Sequence, residues 1–376
     1  MATKTSPVTP SVLTWAVEQD GRALETVASA ADAEPSELRA WMSGVALPSV
    51  GQVTKLAEVL QRPRAFFFLP RPPTDAALPS GFRHPPGSDR TVSQQVLLEA
   101  RRSKHLQRAM ASVLPADFRV DVPRATLTDD PSVAAGRVRR WLAVDSNERW
   151  ADDYAALRRW RQVLDAKGIL VFILQLGKDA VRGFAVWDDQ APMIVANSSD
   201  VNPAARIFTI GHELAHLVLR EATACLEPSG ARLSVDTRTE RWCERFAAAL
   251  LMPRDEVIVL MEQRGVGRGE AGLNEVNAMM NRFRVSARAA AIRLDVLGYA
   301  EEELYAHVLA VFKPKGRADG TPRNPPRHRA RLRQYGEHTV ETLLTSLPPR
   351  DALAVLRMDA TDARKLADEV PGVVAI

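Results

Sequence analysis

Residues 207–220, IFTIGHELAHLVLR, place two histidines and a glutamate inside a run that is otherwise almost wholly apolar. Unpartnered polar side chains are costly to bury, so these three groups need partners in the folded chain. Positions i and i+4 of an α-helix lie on one face, about 5–6 Å apart at Cβ, which lets His212 and His216 hold one divalent ion together. Glu213 is offset from that face, yet near enough to reach a water molecule on the ion. This is the H-E-x-x-H arrangement.

A catalytic zinc ion takes three protein ligands and leaves one position for water, so a third ligand must come from elsewhere. Glu240, in the later stretch TERWCERFAAALLMP, is the best candidate. Glu244 lies one turn further on and is assigned as the acceptor for a histidine N–H, a partner that metal-bound histidines usually have. The reverse assignment of the two glutamates stays open. The alternative to a metal site is two satisfied core histidines and a solvated glutamate, which the spacing and the downstream acidic helix disfavour.

The expected chemistry follows from the residue types. Zinc lowers the pKa of bound water to about 7 and polarises a carbonyl oxygen. Glu213 would accept the proton and return it to the leaving amine, so the expected reaction is cleavage of a peptide bond. The expected cofactor is one zinc ion per chain, with manganese as the alternative. A tetrahedral intermediate also needs a donor for its oxyanion. Four side chains are candidates, and the sequence does not choose among them: Tyr154, Tyr299, His307 and His338.

The composition is that of a soluble globular protein, with 46% apolar and 26% charged residues. No apolar run approaches the roughly 18–20 residues that span a bilayer, and the N-terminus lacks the apolar core of a signal peptide. The two cysteines, Cys225 and Cys243, are too few for a disulfide scaffold. We therefore expect a cytoplasmic protein without a membrane partner. The net charge of +4 is local, because residues 313–333 hold eight Lys or Arg and one acid.

The periodicity of apolar residues predicts four short helices within residues 9–70, with breaks at 20–21, 32–35 and 44–48. The strand 192–196 either forms the edge of a sheet, to which a substrate strand could add, or is an ordinary core strand. The other predicted elements are helices at 91–114, 132–142, 152–167, 207–219 and 237–251, further helices to about 298, a strand at 169–174, a hairpin of 183–187 with 192–196, a solvated flexible segment at 313–333, and a helical tail at 339–369.

Three stretches resemble the ImmA/IrrE family of zinc metallopeptidases: APMIVANSSDVNPAARIFTIGHELAHLVL, ERWCERFAAALLMP and FRVSARAAAIRLDVLG. Residues 9–70 and GFR at 81–83 resemble the Xre-type helix-turn-helix module that is often fused to that peptidase. The resemblance covers roughly residues 10–300 and implies an α+β, mostly helical fold. In that fold an N-terminal helix-turn-helix bundle precedes a gluzincin-like domain with a small β-sheet.

The resemblance also implies His212, His216 and Glu240 as ligands and Glu213 as the catalytic acid/base. Family members commonly cleave a repressor and thereby switch on mobile-element or stress-response genes, and others lie beside toxin–antitoxin genes. The expected partner is therefore a protein substrate such as a repressor or an antitoxin. Two departures from the family are present: Trp242, Cys243 and Glu244 fill positions that often read E-A-N, and the basic segment has no counterpart.

The expected domains are a helix-turn-helix domain at 1–72, a linker and helical connector at 73–140, the zinc peptidase at 141–300, and a basic linker with a helical tail at 301–376. In a helix-turn-helix the second helix, here about 35–42, enters the major groove. Three side chains are candidate DNA contacts: Ser36, Arg39 and Ser43. Three acids lie where phosphates would be and weaken this expectation: Asp32, Glu34 and Glu37. The alternative for this domain is protein docking or self-association.

Two functions therefore remain for the chain as a whole. The first is a zinc endopeptidase that acts on a regulatory protein. The second is a DNA-binding transcription regulator or antitoxin-like protein, in which the peptidase fold is a sensor or a docking platform. The intact H-E-x-x-H motif favours the enzyme, because a scaffold has no need of Glu213.

Overall fold

The computed structural model describes residues 5–20, 22–60, 62–72, 82–83, 93–145, 148–177, 181–199, 202–220, 237–312 and 326–369. Most of these residues are helical, and the described strands form one small sheet, in agreement with the predicted α+β class. The described residues fall into two compact units. The first holds those up to 72 together with 93–100, and the second holds 82–83 and those from 101 onward. No described helix has both the length and the apolar character needed to cross a bilayer.

The first unit contains four short helices and a 3₁₀ turn at Arg64–Phe68. The helices are α1 (Pro10–Glu18), α2 (Leu24–Ala30), α3 (Pro35–Ser43) and α4 (Val50–Val59). Their predicted number and breaks are confirmed. Pro35 begins α3, and Gly44 ends it with a φ of +76°, a left-handed conformation that favours glycine. Leu38 and Trp41 on α3 pack in the core of this unit with Leu13, Leu56 and Phe67.

Where a helix was predicted, the remaining helices agree with it to within a few residues, and α8 shows the largest difference; α13 and α14 were not predicted. It begins at Pro203 rather than at 207, because the Asn202 side chain accepts a hydrogen bond from the Ala204 N–H and caps the helix. The helices are α5 (Gln94–Val113), α6 (Pro131–Trp141), α7 (Asp153–Asp165), α8 (Pro203–Leu219), α9 (Thr237–Leu251), α10 (Arg254–Arg264), α11 (Leu273–Phe283), α12 (Ala287–Val296), α13 (Leu304–Val311), α14 (Arg327–Tyr335), α15 (Glu337–Ser346), α16 (Pro349–Leu356) and α17 (Ala360–Glu369).

The sheet contains β1 (Phe82–Arg83), β2 (Leu170–Leu174), β3 (Gly183–Val186) and β4 (Met193–Asn197), in the order β1-β3-β4-β2. β2 runs parallel to β4, whereas β3 is antiparallel to both β4 and β1. The predicted hairpin of β3 and β4 is confirmed. β4 is hydrogen-bonded on both sides, so the idea that a substrate strand adds to it is wrong, and the core-strand alternative holds.

One face of the sheet is covered by α8, which contacts β3 and β4. α9 packs against α8, and α6 packs against α9, so the helix that carries the histidines is enclosed on several sides. A cluster of three charged side chains links α10 to α6 and α11. Glu256 accepts hydrogen bonds from Arg139 at 2.9 Å and from Arg282 at 2.5 Å, and all three side chains are at most 13% exposed.

The C-terminal helices are part of the second unit rather than a loose extension. α14 packs against β2, where the rings of Tyr335 and Phe172 meet edge to face with their centroids 5.3 Å apart. The expectation of a flexible segment at 313–333 is therefore wrong for 326–333, because α14 is fixed by this buried aromatic contact. Residues 313–325 lie outside the described part of the chain. The predicted helical tail is confirmed by α15, α16 and α17.

Candidate metal centre

α8 and α9 bring together the three side chains that the sequence predicts as metal ligands. His212 and His216 project from α8, and Glu240 projects from the first turn of α9. The two imidazole Nε2 atoms are 3.3 Å apart. Glu240 Oε2 lies 3.3 Å from His212 Nε2, and Glu240 Oε1 lies 3.5 Å from His216 Nε2. Among the described residues, this is the one group of three donors close enough to hold a metal ion together.

The spacing of these donors fits a tetrahedral metal ion. Ligand atoms about 2.0–2.1 Å from a tetrahedral zinc are about 3.3–3.4 Å from one another. The three observed separations, 3.3, 3.3 and 3.5 Å, are close to that value. Two imidazoles and one carboxylate are also a donor set that catalytic zinc sites use. The residues present therefore fit a zinc ion.

Two of the three donor side chains are partly exposed. The His212 side chain is fully buried, whereas His216 is 14% and Glu240 27% exposed. Since a catalytic site must admit both water and substrate, the partly exposed side at His216 and Glu240 is the one from which they can enter. Metal exchange requires the same opening.

The electrostatics of the centre favour a cation. Burial disfavours the imidazolium of His216, but Cys243, Glu240 and Glu213 around it raise its pKa well above the usual value. Burial disfavours the carboxylate of Glu240 as well, yet the contacts with His212 and His216 hold the pKa of Glu240 below its usual range. Both shifts come from the attraction between the imidazoles and the carboxylate, which stabilises positive charge at His216 and negative charge at Glu240.

Glu213 lies between His212 and His216 on α8 and is fully buried. β3 approaches it very closely. A Cβ atom added at Gly183 would lie 3.3 Å from Glu213 Cγ and 2.6 Å from both Thr209 Cγ2 and the Val195 carbonyl oxygen. Only glycine fits at this position, so β3 packs closely beside the part of α8 that carries Glu213.

The structure places Glu244 differently from the prediction. Glu244 is exposed, and among the described residues no hydrogen bond joins it to either histidine. The buried thiol of Cys243 contacts His216 instead. Cys243 lies three residues after Glu240 on the inner face of α9, whereas Glu244, four residues after it, falls on the solvent side. This placement does not fit the role predicted for Glu244.

The apolar surroundings of Cys243 on α9 explain why the sequence alone does not mark it as a residue of the site. The apolar positions Trp242, Phe246 and Ala247 surround it, and Trp242 stacks on Phe246 with ring centroids 5.4 Å apart. Trp242 also donates a hydrogen bond to the Asp129 carbonyl at 2.9 Å. A cysteine among such residues resembles any small core residue. What could have identified it is its position three residues, about one helical turn, after the candidate ligand Glu240.

The four candidates for the oxyanion donor are dispersed over the second unit. Among the described residues, no hydrogen bond or ion pair joins any of them to the triad or to Glu213. Their surroundings differ: Tyr154 is 54% exposed on α7, Tyr299 is buried under Arg268, His307 lies 3.6 Å from Glu301, and His338 lies in the first turn of α15 and lines a surface groove.

Two of the three candidate DNA contacts in the first unit have interactions within that unit. Arg39 pairs with Glu25 at 3.0 Å, and the Ser43 hydroxyl donates to the Ala40 carbonyl at 3.1 Å. Ser36 is exposed. Of the nearby acids, Asp32 pairs with Lys55, and Glu37 accepts a hydrogen bond from the Glu34 N–H. DNA binding by this unit stays a prediction.

Comparison with known proteins agrees with the geometry of the centre. No curated protein matches the chain. Residues 164–295 match the peptidase family M78 model, described as the IrrE N-terminal-like domain. The described residues of the matched region lie in the second unit and include the triad together with Glu213. This match supports placement of residues 164–295 in the ImmA/IrrE family of peptidases.

Proposed function

We propose that this chain is a zinc-dependent endopeptidase that cleaves a regulatory protein such as a repressor or an antitoxin. The observation that carries the proposal is the convergence of His212, His216 and Glu240 at tetrahedral spacing, with Glu213 beside them, inside a region that matches a peptidase family. His212, His216 and Glu240 would hold the ion. When bound, the ion acidifies a coordinated water and polarises a substrate carbonyl.

The chain's own residues supply the proton transfer and the positioning. Glu213 takes a proton from the attacking water and delivers it to the leaving amine nitrogen, so that the peptide bond breaks with no net change in its own protonation. Its burial excludes bulk water from the carboxylate, which strengthens its electrostatic interactions. The absence of a side chain at Gly183 leaves room for Glu213, and Cys243 contacts the ring of His216.

The proposed substrate class is supported by the family resemblance and by the presence of a separate N-terminal helical unit. The recessed ligands favour a substrate with an extended segment over a rigid folded surface. Narrow specificity follows, because a folded protein that lacks such a segment does not reach the buried Glu213.

The test separates metal binding from catalysis with four variants of the full chain. We expect Glu213→Gln to retain zinc but to lose cleavage by at least about 100-fold, since general acid–base catalysis contributes roughly 100- to 10,000-fold. His216→Ala and Glu240→Gln are expected to lose both zinc and cleavage. Glu244→Gln is the matched control, because it makes the same chemical change one turn away on the exposed side of α9 and should leave both unchanged.

Zinc content is measured by mass spectrometry of the purified proteins. Cleavage is measured by labelling new protein N-termini in cells that express the wild type or Glu213→Gln, followed by digestion of the candidate with the pure enzyme. Undiminished cleavage by Glu213→Gln would refute the role of Glu213. Zinc retained by Glu240→Gln but lost from Glu244→Gln would refute the ligand set.

A DNA-binding regulator is the second candidate, and the contact between α2 and α3 across a short turn is the observation in its favour. A gel shift at two salt concentrations tests it, because phosphate contacts make binding salt-dependent. If Arg39 contacts DNA, Arg39→Gln must weaken the shift. The absence of a shift at low salt would eliminate this function.

A further inference from the structure

The second unit contains a groove that the proposed peptidase chemistry does not use. It has a volume of about 1000 Å³ and lies between α7, residues 114–118 and the corner where α14 meets α15. Small-molecule sites typically measure about 300–1000 Å³, so the groove is large enough for an organic ligand. None of the three candidate metal ligands lines this groove.

The groove is predominantly cationic. Four arginines line it, against two acids, Asp165 and Glu337. The arginines are Arg158, Arg161, Arg329 and Arg333. Burial raises the pKa of Asp165 to about 7, which removes part of its negative charge at neutral pH. The lining therefore favours an anion.

Arg161 builds the floor of the groove rather than its binding surface. Its guanidinium donates hydrogen bonds to the carbonyls of Val171 on β2 at 2.9 Å, Arg333 at 2.7 Å and Gln334 at 3.0 Å. Gly336 closes the corner onto it with a φ of +91°, and a Cβ atom there would lie 3.3 Å from both Arg161 Nη2 and Asp165 Oδ2. The groove is thus a fixed part of the fold.

Two of the arginines remain available to a ligand. Arg158 on α7 and Arg333 on α14 are exposed, and among the described residues neither side chain makes a hydrogen bond or an ion pair. They come from different helices and line the same groove. Guanidinium groups bind phosphate, sulfonate and carboxylate groups through paired N–H donors, so two of them can hold one anionic group.

The rest of the lining is apolar. Leu114, Phe118 and Leu332 line the groove, and Phe118 is 36% exposed. An inorganic anion would leave these side chains uncovered. A ligand that has both an anionic group and an apolar or aromatic body would contact all of them.

From this combination we propose that the groove binds a small organic anion, with its charged group on Arg158 and Arg333 and its apolar body on Phe118, Leu114 and Leu332. The groove is built on elements that also pack near α8, since α7 contacts α8 and β2 pairs with β4. The proposal does not depend on peptidase activity.

The test uses two fluorescent probes with the full-length protein. 8-Anilinonaphthalene-1-sulfonate has a sulfonate on an aromatic body, and N-phenyl-1-naphthylamine is the uncharged counterpart. We expect Arg158→Gln with Arg333→Gln to weaken binding of the sulfonate by roughly tenfold or more, because charge-assisted hydrogen bonds are lost. Binding of the uncharged probe should change less than twofold. Phe118→Ala should weaken both probes.

The control is the double variant Arg140→Gln with Arg288→Gln, which removes the same charge at two exposed arginines outside the groove. It should bind both probes as the wild type does. Equal affinity of the wild type and the Arg158/Arg333 variant for the sulfonate would overturn the proposal. Equal weakening by the control variant would also overturn it, because the effect would then come from net charge and not from the groove.

Discussion

Replacement of Gly183 by alanine tests the contact between the sheet and the proposed catalytic glutamate. The new methyl group would lie 2.6 Å from both Thr209 Cγ2 and the Val195 carbonyl oxygen, and 3.3 Å from Glu213 Cγ. The Val195 carbonyl belongs to the backbone of β4 and Thr209 is buried in α8, so neither can move aside freely. β3 must therefore shift by about 0.8 Å to restore an ordinary contact of 3.4 Å.

The size of the effect follows from this shift. Overpacking of a close-packed core costs about 1–3 kcal/mol. Alanine loses less backbone entropy than glycine on folding, which offsets roughly 0.5–1 kcal/mol of that cost. We expect a net loss of up to about 2.5 kcal/mol and a fall in Tm of about 2–4 °C per kcal/mol. Cleavage should fall further, on the order of 100-fold, because a misplacement near 1 Å can cost that much.

The measurements are thermal unfolding, zinc content and the rate of substrate cleavage. Zinc content should be unchanged, because none of the three atoms nearest the new methyl group belongs to a candidate metal ligand. Gly136→Ala on α6 is the matched control: its nearest neighbour, Arg140 Nη1, would be 3.8 Å away, and a helix interior favours alanine by up to about 1 kcal/mol. A Gly183→Ala protein with wild-type Tm and wild-type cleavage would refute the close contact between β3 and Glu213.

Two further predictions concern stability. Because burial raises the folded-state pKa of Asp165 to about 7, above the value of about 4 in an unfolded chain, the stability it contributes is present below pH 4 and is lost as the pH rises through 7. Between pH 5 and pH 8, Asp165→Asn should therefore lose less stability than the wild type, by at most about 3 kcal/mol in urea titrations, because about two pH units separate pH 5 from the folded-state pKa; parallel pH profiles of the two proteins would contradict this. Glu256→Gln leaves Arg139 and Arg282 without their buried carboxylate and should cost about 3 kcal/mol by the same assay, whereas Glu262→Gln, exposed on the same helix, should cost almost nothing.

The grouping of the three candidate ligands could be predicted from the sequence because helical periodicity fixes which residues share a face. His212 and His216 satisfy that rule within one helix, and Glu240 is the first acid on the next one. The same rule did not separate positions three and four residues after Glu240. Which of these two faces inward depends on the rotation of α9 about its axis, and that rotation is set by packing against α6 and α8.

Features built from distant segments were beyond the sequence. The order of the strands depends on β1, a two-residue strand about 100 residues before β3. The groove draws its arginines from α7 and α14, which are separated by more than 150 residues. The contact of Tyr335 with Phe172, which orders the basic residues before it, is likewise invisible to local composition. In each case a long-range contact outweighs the local tendency.

The sheet margin nearest Glu213 is already occupied by the chain itself. Phe82 is paired with Phe184, and Arg83 with Gly183, where an added Cβ would lie 3.3 Å from Glu213 Cγ. A polypeptide that docked there as a further strand would have to take over those backbone hydrogen bonds from residues 82–83 or be confined to positions past Phe184. A substrate strand could therefore pair with this part of β3 only by displacing β1. Displacement is disfavoured because β1 belongs to the same chain and is always close to β3.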